Sequence, residues 1–445
     1  MAEFDFDDLK KNYDSFRHPV VTIEIAGNEF GENKYGLAVS DIRVELSAGF
    51  EASMATFVIY NVYDRIQASF VFDRFKKYVL LGSSVVMHMG YGSTVKEVFR
   101  GFIAKVNFIY DEDDIPGVMI TAMDIKGIMM TNNSAKQLTA KTYSGALSAI
   151  LAQEPYVTLM SEGVFKTTSI KATPDGQQGG AGGIGGAAGG MIPGASDAQG
   201  AMAGAGGAQG VGAAGGNLSS DTYTVEMVGE SDYEFFVRAA KRFNYDFFVL
   251  SGELIFRPAK SDTSTYMSLG PDSGLRNINV EYDITGLYGK VEVRNVDPGK
   301  GKVVSSSKKF SNKISQGSKA KSIVSKLEKV YIDPTVETKN DAGYRANYLI
   351  EDMSYRFGTL EADVIGLPEL VPGRFISITG LGKDVENVFY LQEVIHSFTS
   401  DGEYKTKLIG KAATITDDPA GAIGGGLGGV GDIGGSISNM GGGFF

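Results

Sequence analysis

Apolar and polar residues alternate with a period of two along much of the chain before residue 125. Short runs of β-branched and aromatic residues are separated by clusters of Gly, Pro and acidic residues, as in antiparallel strands joined by turns. Five such strands predict a small β-barrel or sandwich, which we place at residues 20–135 after an N-terminal arm of residues 1–19. The predicted strands are residues 20–26, 55–61, 83–91, 98–110 and 117–124.

The period changes to that of helices in the middle of the chain. Residues 142–153 place four apolar side chains on one helical face behind a Ser/Thr cap. Ser231 and Glu234 have the spacing of a capping box, which predicts the start of a second helix, and residues 244–256 read as a hairpin. These elements predict a small α/β subdomain made of residues 136–173 and 217–260.

The period-two pattern returns in the last third of the chain. We assign residues 261–412 to a second β-barrel domain with one helix, at residues 341–357. The sequence therefore predicts a mainly β protein in which two β domains flank an α/β insert. The later predicted strands are residues 277–296, 373–382, 387–398 and 402–412.

Glycine is concentrated in two segments. Residues 174–216 contain 18 of the 59 Gly residues and residues 418–445 contain 12. Side chains large enough to form a core are scarce there, so we predict an inserted Gly/Ala-rich linker at 174–216 and a Gly-rich C-terminal tail at 413–445. Either segment is a plain linker or a docking element for another subunit.

Lysine accumulates near the start of the last third. The stretch from Lys300 to Lys329 contains nine Lys residues and one acidic residue, Glu328. A basic stretch of this kind forms either a solvated surface or a contact with an acidic partner, and both readings stay open.

Composition excludes several classes of site. The chain has no Cys and three His residues, His18, His88 and His396, so disulfides and thiolate metal sites are excluded, as is a multi-histidine site. Neither a GxSxG nor an HExxH motif occurs, and we predict no catalytic residues, no metal and no cofactor. A net charge of -11 disfavours nucleic-acid recognition, and no run of about 18 apolar residues predicts a membrane span.

Six sequence segments, taken in order, resemble a known family. LLGSSVVMHMGYG, VFRGFIAKV and VMITAMDIKGIM occur within residues 80–130, and GESDYEFFVRAAKRFNYDFFVLSGELIF begins at Gly229. GLPELVPGRFISITG and VFYLQEVIHSFTSDGEYKTKLIG follow at 366–380 and 388–410. The series is similar to phage baseplate hub proteins of the late control protein D family, which includes the N-terminal part of VgrG spikes.

The resemblance implies a structural hub rather than an enzyme. Proteins of this family have two similar antiparallel β-barrels per chain, which alternate around the axis of a homotrimer and adapt a sixfold tail tube to a threefold spike. The implied location is the baseplate of a virion tail, or an equivalent injection particle, assembled in the bacterial host cytoplasm. The implied partners are the tail tube protein, a central spike protein, the tape-measure protein and baseplate wedge proteins.

Two sets of residues are predicted to contact partners. Phe102, Val106 and Val394 lie in the long hairpins that we expect to face the tube. The apolar residues of the tail, which recur between glycines, are expected to dock on the spike or the tape-measure protein. The tail residues are Ile423, Leu427, Ile433, Phe444 and Phe445.

Some features of the sequence also fit other functions. No β-helical needle follows residue 412, so a spike would be a separate polypeptide. A hub of a non-contractile tail fits the same motifs. A carbohydrate-binding adhesin is suggested by 21 Tyr and 26 Phe residues, but Trp is absent and the aromatic residues alternate with polar residues as core positions do.

Overall fold

Strands dominate the computed structural model. The described part of the chain comprises residues 3–30, 37–71, 76–77, 79–133, 136–138, 140–177, 225–227, 229–297 and 301–417. After a short helix, α1 (Phe6–Asn12), nine strands follow. They are β1 (Pro19–Ile25), β2 (Asn28–Phe30), β3 (Ala38–Ser47), β4 (Met54–Tyr60), β5 (Tyr63–Asp64), β6 (Ser69–Phe70), β7 (Ser84–Tyr91), β8 (Thr94–Ile109) and β9 (Gly117–Met123).

Helices and short strands alternate in the middle of the chain. Ser231 and Glu234 make both hydrogen bonds of a capping box, and Asn244 in the left-handed conformation ends the helix that they start. The predicted helix and the hairpin after it are confirmed. The elements are α2 (Lys126–Met129), β10 (Lys136–Gln137), α3 (Tyr143–Leu151), α4 (Tyr156–Ser161), β11 (Thr167–Ile170), β12 (Glu226–Met227), α5 (Asp232–Phe243), β13 (Tyr245–Leu250) and β14 (Glu253–Pro258).

The last third of the described chain adds nine strands and two helices. Thr338 and Asp341 form a second capping box at the start of the longer helix. The elements are β15 (Thr265–Leu269), β16 (Leu275–Tyr282), β17 (Lys290–Asp297), β18 (Lys302–Lys309), α6 (Lys319–Val324), β19 (Glu328–Ile332), α7 (Lys339–Ser354), β20 (Gly358–Ile365), β21 (Phe375–Ile378), β22 (Asn387–Phe398) and β23 (Tyr404–Ala412).

A single 13-stranded sheet joins the two groups of strands. Its order is β16-β20-β23-β22-β3-β4-β9-β8-β7-β1-β2, with β21 branching from β22 and β15 pairing with β21. The first residues of β22 pair with β21, and the residues from Glu393 to Phe398 pair with β3 of the N-terminal group. One hydrophobic core runs beneath both groups. The mainly β fold with a small helical part is confirmed, and the shared sheet shows that the two groups are continuous.

The α/β part has its own core. A three-stranded sheet in the order β11-β14-β13 packs against α3 and α5, and Phe235, Phe236 and Phe247 lie in the core between them. The strands β10 and β12 pair with each other, so the chain on either side of residues 178–224 belongs to this same part.

A further unit lies between β16 and β20. The strands β17, β18 and β19 form a separate sheet whose inner face packs against α7, with Val291 and Val293 buried. We call β17 to α7 the lysine-rich unit. It falls inside the segment that the sequence analysis treated as one barrel domain, because its strands have the same period-two pattern as the strands of the main sheet.

The N-terminal arm is folded onto the main sheet. Asp5 caps α1 by accepting hydrogen bonds from the backbone N–H groups of Asp7 and Asp8, and Leu9 and Tyr13 are buried. Phe4 forms an isolated bridge with the edge strand β15. Among the described helices, none is long and apolar enough to cross a membrane.

Candidate functional site

The three residues predicted to face a tail tube do not form an exposed surface. Val394 is fully buried in the main core, where it is paired with Leu46 of β3 and Leu408 of β23. Phe102 is half-buried against the α/β core, and Val106 is half-buried against the main core. The side chain of Val394 is therefore not a contact residue, and the other two present only part of their surface.

The strands that carry these residues are paired along their length. β22 is paired on both sides, whereas β8 pairs with β7 as far as Phe102 and with β9 from Phe102 onward. Beyond Phe102, β8 and β9 continue as a hairpin past the start of β7. A central strand and an edge strand have the same period of two, so the sequence pattern could not distinguish them. A partner can reach these strands at the end of the β8–β9 hairpin.

An aromatic cluster supports the end of that hairpin. The ring of Tyr63 lies 5.1 Å from that of Phe70 and 5.2 Å from that of Tyr110, and the rings of Phe70 and Phe108 are 5.3 Å apart. We define residues 63–70 and 106–116 as the acidic hairpin end. Because β5 and β6 brace the longer hairpin from the side, the end is a built structure rather than an unsupported loop.

The tip carries four successive acidic residues, 111–114. The carboxylate of Asp111 accepts a hydrogen bond from the backbone N–H of Asp113 at 3.0 Å, and that of Asp114 accepts one from Ile115 at 2.7 Å. In the described part of the chain, no group of three or more His, Asp or Glu side chains is arranged to hold a metal ion. The acids cap turns and face solvent.

The lysine-rich unit has one covered and one open sheet face. On the open face, Glu292 is 2.6 Å from Arg294 and 3.8 Å from Lys290. Around this row lie exposed apolar side chains, among which Val303 is 64% and Ile332 is 83% exposed. No described element packs on this face, which sequence reasoning missed because it treated the unit as part of a barrel.

A buried polar junction ties the N-terminal arm to the main sheet. Tyr13 donates a hydrogen bond to Glu369 Oε1 at 2.6 Å, and Lys96 lies 2.9 Å from the same oxygen. The hydroxyl of Tyr91 donates to the carbonyl oxygen of Gly366 at 2.8 Å. Burial and the neighbouring Glu369 carboxylate raise the pKa of Tyr13, so this hydroxyl stays protonated and keeps donating.

His396 is the one histidine in a polar buried cluster. Its Nδ1 lies 3.0 Å from the Tyr404 hydroxyl and 3.2 Å from the Thr406 hydroxyl, and its Nε2 lies 3.2 Å from the Leu370 carbonyl oxygen. Burial lowers the pKa of His396 to about 4. A neutral histidine without solvent access orients loops and strands and is not placed to meet a substrate.

Two clefts are lined by ion pairs. A cleft of about 340 Å³ contains Lys260, which lies 3.2 Å from Glu351 and 4.6 Å from the centre of the Tyr355 ring. A cleft of about 380 Å³ between α5 and α7 contains the pair Arg242 and Asp341, 2.8 Å apart. In both clefts the opposite charges pair with each other, which is typical of structural ion pairs between packed elements.

The other predicted contact residues lie outside the described residues. This applies to the Gly/Ala-rich linker from residue 178 onward and to the tail from residue 418 onward. The tail residues concerned are Ile423, Leu427, Ile433, Phe444 and Phe445.

Known proteins match this chain in structure but not in sequence. No protein family model matches the sequence, and no curated protein does. The tail protein from Neisseria meningitidis MC58 matches with a TM-score of 0.57 and 12% identity, over 91% of this chain and 99% of that one. The 43 kDa tail protein of prophage MuSo2 from Shewanella oneidensis gives a TM-score of 0.57 and 11% identity, over 89% and 98%. The chain has the fold of these tail proteins, which confirms the resemblance at the level of fold.

Proposed function

We propose that this chain is a structural protein of a tail baseplate or an equivalent injection particle, and that it is the hub. The observation that carries the proposal is the shared fold over almost the whole length of two tail proteins, with 99% and 98% of those chains matched. A match of this extent covers both groups of strands and the part between them, rather than one common barrel.

The architecture suits a load-bearing role. β22 pairs with β3 and joins the two strand groups through backbone hydrogen bonds, so force passes along a continuous sheet. The arm adds the buried Tyr13–Glu369 contact between distant parts of the chain. In the described residues, His396 and the charged groups of both clefts have structural partners, in keeping with a role in which no bond is made or broken.

In this proposal the chain acts as a homotrimer that adapts a sixfold tail tube to a threefold spike. Its partners are the tube protein, the spike, the tape-measure protein and wedge proteins of the baseplate. The ends of the β8–β9 and β22–β23 hairpins are exposed parts of the strands expected to meet the tube. A contractile tail is the first candidate, and a non-contractile tail would use the same hub.

Native mass measurement tests the proposal. The chain should be found as three copies in purified tail particles, and labelling it should place it where the tube meets the spike. A monomeric chain inside an assembled particle would contradict the trimer. Particles that assemble and inject normally without the chain would contradict the structural role altogether.

A further inference from the structure

Exposed apolar side chains are concentrated at two places on the molecule. Fifteen large hydrophobic residues are exposed in the described chain, and ten of them belong to either the acidic hairpin end or the lysine-rich unit. Scattered exposure is ordinary on protein surfaces, whereas clusters of this kind mark contact sites. The ten residues are Ile66, Phe108, Tyr110 and Ile115 at the hairpin end, and Val296, Val303, Ile323, Leu327, Val330 and Ile332 in the lysine-rich unit.

Apolar side chains lie at the margins of the open sheet face of the lysine-rich unit. The register places Val296 beside Val303, Val330 beside Glu292, and Ile332 beside Arg294. The positions in β18 opposite Glu292 and Arg294 are small serines. A face with exposed β-branched residues and small neighbours fits another protein surface.

Unpaired positive charge lies at one end of this face. Lys309 is opposite Lys290 in the register, and Lys326 directly precedes Leu327, whose carbonyl oxygen accepts a hydrogen bond from the Lys290 backbone N–H. Both lysines are exposed, and neither forms an ion pair with a carboxylate of the described residues. The ion pairs of the open face itself involve Lys290 and Arg294. A partner for this surface should therefore present exposed apolar side chains next to acidic residues.

The acidic hairpin end has that combination. Ile66 is 97% exposed and Ile115 is 64% exposed, and the acidic residues 111–114 lie directly before Ile115. Glu112 and Asp113 form no ion pair with described residues. The two surfaces are complementary both in charge and in their exposed apolar groups.

The topology of the sheet separates the two surfaces within one chain. Six antiparallel pairings lead from β8 through β9, β4, β3, β22 and β23 to β20, so β8 and β20 run in the same direction. The acidic hairpin end follows the end of β8, whereas the lysine-rich unit precedes the start of β20. The two surfaces therefore adjoin opposite ends of like-directed strands and are distinct parts of the molecule, as a head-to-tail contact between copies requires.

We infer that the open face of the lysine-rich unit binds the acidic hairpin end of a second copy of this chain. The inference rests on the proposed hub in one respect, which is that three copies joined by this contact should close into a ring. Nucleic acid is the other ligand that a lysine surface attracts, but phosphates would leave the valines and isoleucines uncovered, and exposed aromatic rings for stacking bases are absent from this face.

Paired charge reversals test the contact. The variant K309E/K326E reverses the basic surface, and E112K/D113K reverses the acidic hairpin end. The variant K171E/K383E is the control, because it makes the same charge change at two exposed lysines outside both surfaces. Thermal unfolding of each variant checks that the fold is retained. Sedimentation velocity at low and high salt then measures self-association.

The wild-type chain should self-associate, and more weakly at high salt. Each reversal should weaken association by about tenfold or more, and combining the two pairs should restore it to within about threefold of wild type. The control should associate like wild type. A wild-type chain that stays monomeric at all concentrations, or a combined variant no better than the single ones, would overturn the inference.

Two further measurements separate the competing explanations. Binding of a single-stranded oligonucleotide that is lost in K309E/K326E, with self-association unchanged, would assign the basic surface to nucleic acid and overturn the inference. Incorporation of the variants into tail particles is scored separately. Normal incorporation of both reversed variants would contradict the head-to-tail contact and leave the hub proposal intact. Self-association that the combined variant restores, in a chain that never enters particles, would support the head-to-tail contact and contradict the hub proposal.

Discussion

His396 is a residue through which burial couples the stability of the fold to pH. It is fully buried, and its ring nitrogens already face the Tyr404 and Thr406 hydroxyls and the Leu370 carbonyl oxygen. Protonation would place an uncompensated charge in the main core, which is why burial lowers the pKa from 6.5 to about 4. The unfolded chain, by contrast, binds a proton near the ordinary value.

We predict that His396 makes the protein less stable as pH falls from 6.5 to about 4. In that window the unfolded state binds more protons than the folded state, so the free energy of unfolding rises with pH. The contribution at neutral pH is about 3 kcal/mol and is lost progressively toward the folded-state pKa. Urea unfolding of wild type and His396→Gln across this window measures it.

The comparison between the two proteins isolates the histidine. Carboxylates titrate in both proteins, so their effect cancels in the difference. His396→Gln should be less stable at neutral pH and should lose less stability on acidification. Equal pH slopes for the two proteins would contradict the role assigned to burial of this ring.

At the scale of elements, the sequence predicts the start of a helix from local capping residues. The capping box of α5 was predicted from Ser231 and Glu234, and both of its hydrogen bonds are present, at 3.1 Å and 2.7 Å. β22 has the predicted bounds, Asn387–Phe398. Caps and turns depend on residues within a few positions of each other, so a local pattern is enough to predict them.

We expect Ser231→Ala to lower the free energy of unfolding by about 1 kcal/mol, because the backbone N–H of Glu234 loses its acceptor. Ser318→Ala is the matched control, since Ser318 precedes α6 without a side-chain capping bond. Chemical denaturation of the two variants should separate them. Similar losses in both would show that the cap does not stabilise α5.

β3 shows how a local pattern can be overlooked. Ile42, Val44 and Leu46 are buried in alternation, as in any strand of the sheet. The register with β4 shifts between Ser40 and Arg43, and Asp41 has a positive φ of 53°. This bulge interrupts the alternation at the start of the strand and weakened its signal in the sequence.

At the scale of the whole molecule, the tail is proposed to act only within an assembly. The residues just before the tail are attached to the main sheet, because the backbone N–H of Thr416 donates a hydrogen bond to Asn387 Oδ1 at 3.0 Å. Each apolar residue of the tail that a partner buries would contribute about 1.5 to 3 kcal/mol, which the entropy of ordering glycine-rich chain largely offsets.

Truncation after Asp417 should leave the fold and the trimer intact, and should abolish retention of the spike or the tape-measure protein. Native mass measurement and composition of purified particles report the two properties. A full-length variant with Ile423, Leu427, Ile433, Phe444 and Phe445 replaced by Ser separates side-chain docking from tail length. Full retention of both partners by either variant would make the tail a passive extension.

The sequence by itself determined the mainly β class, the capped helices, most strand positions and the absence of cysteine chemistry. Each of these follows from composition or from residues close together in the chain. It could not determine that β22 joins β3, where Val394 lies opposite Leu46, because this pairing brings together residues some 350 positions apart. The period of two that specifies a strand is the same for every strand of the molecule. Only the tertiary structure decided which strands are interior, which sheet face is open, and that Val394 lies in the core.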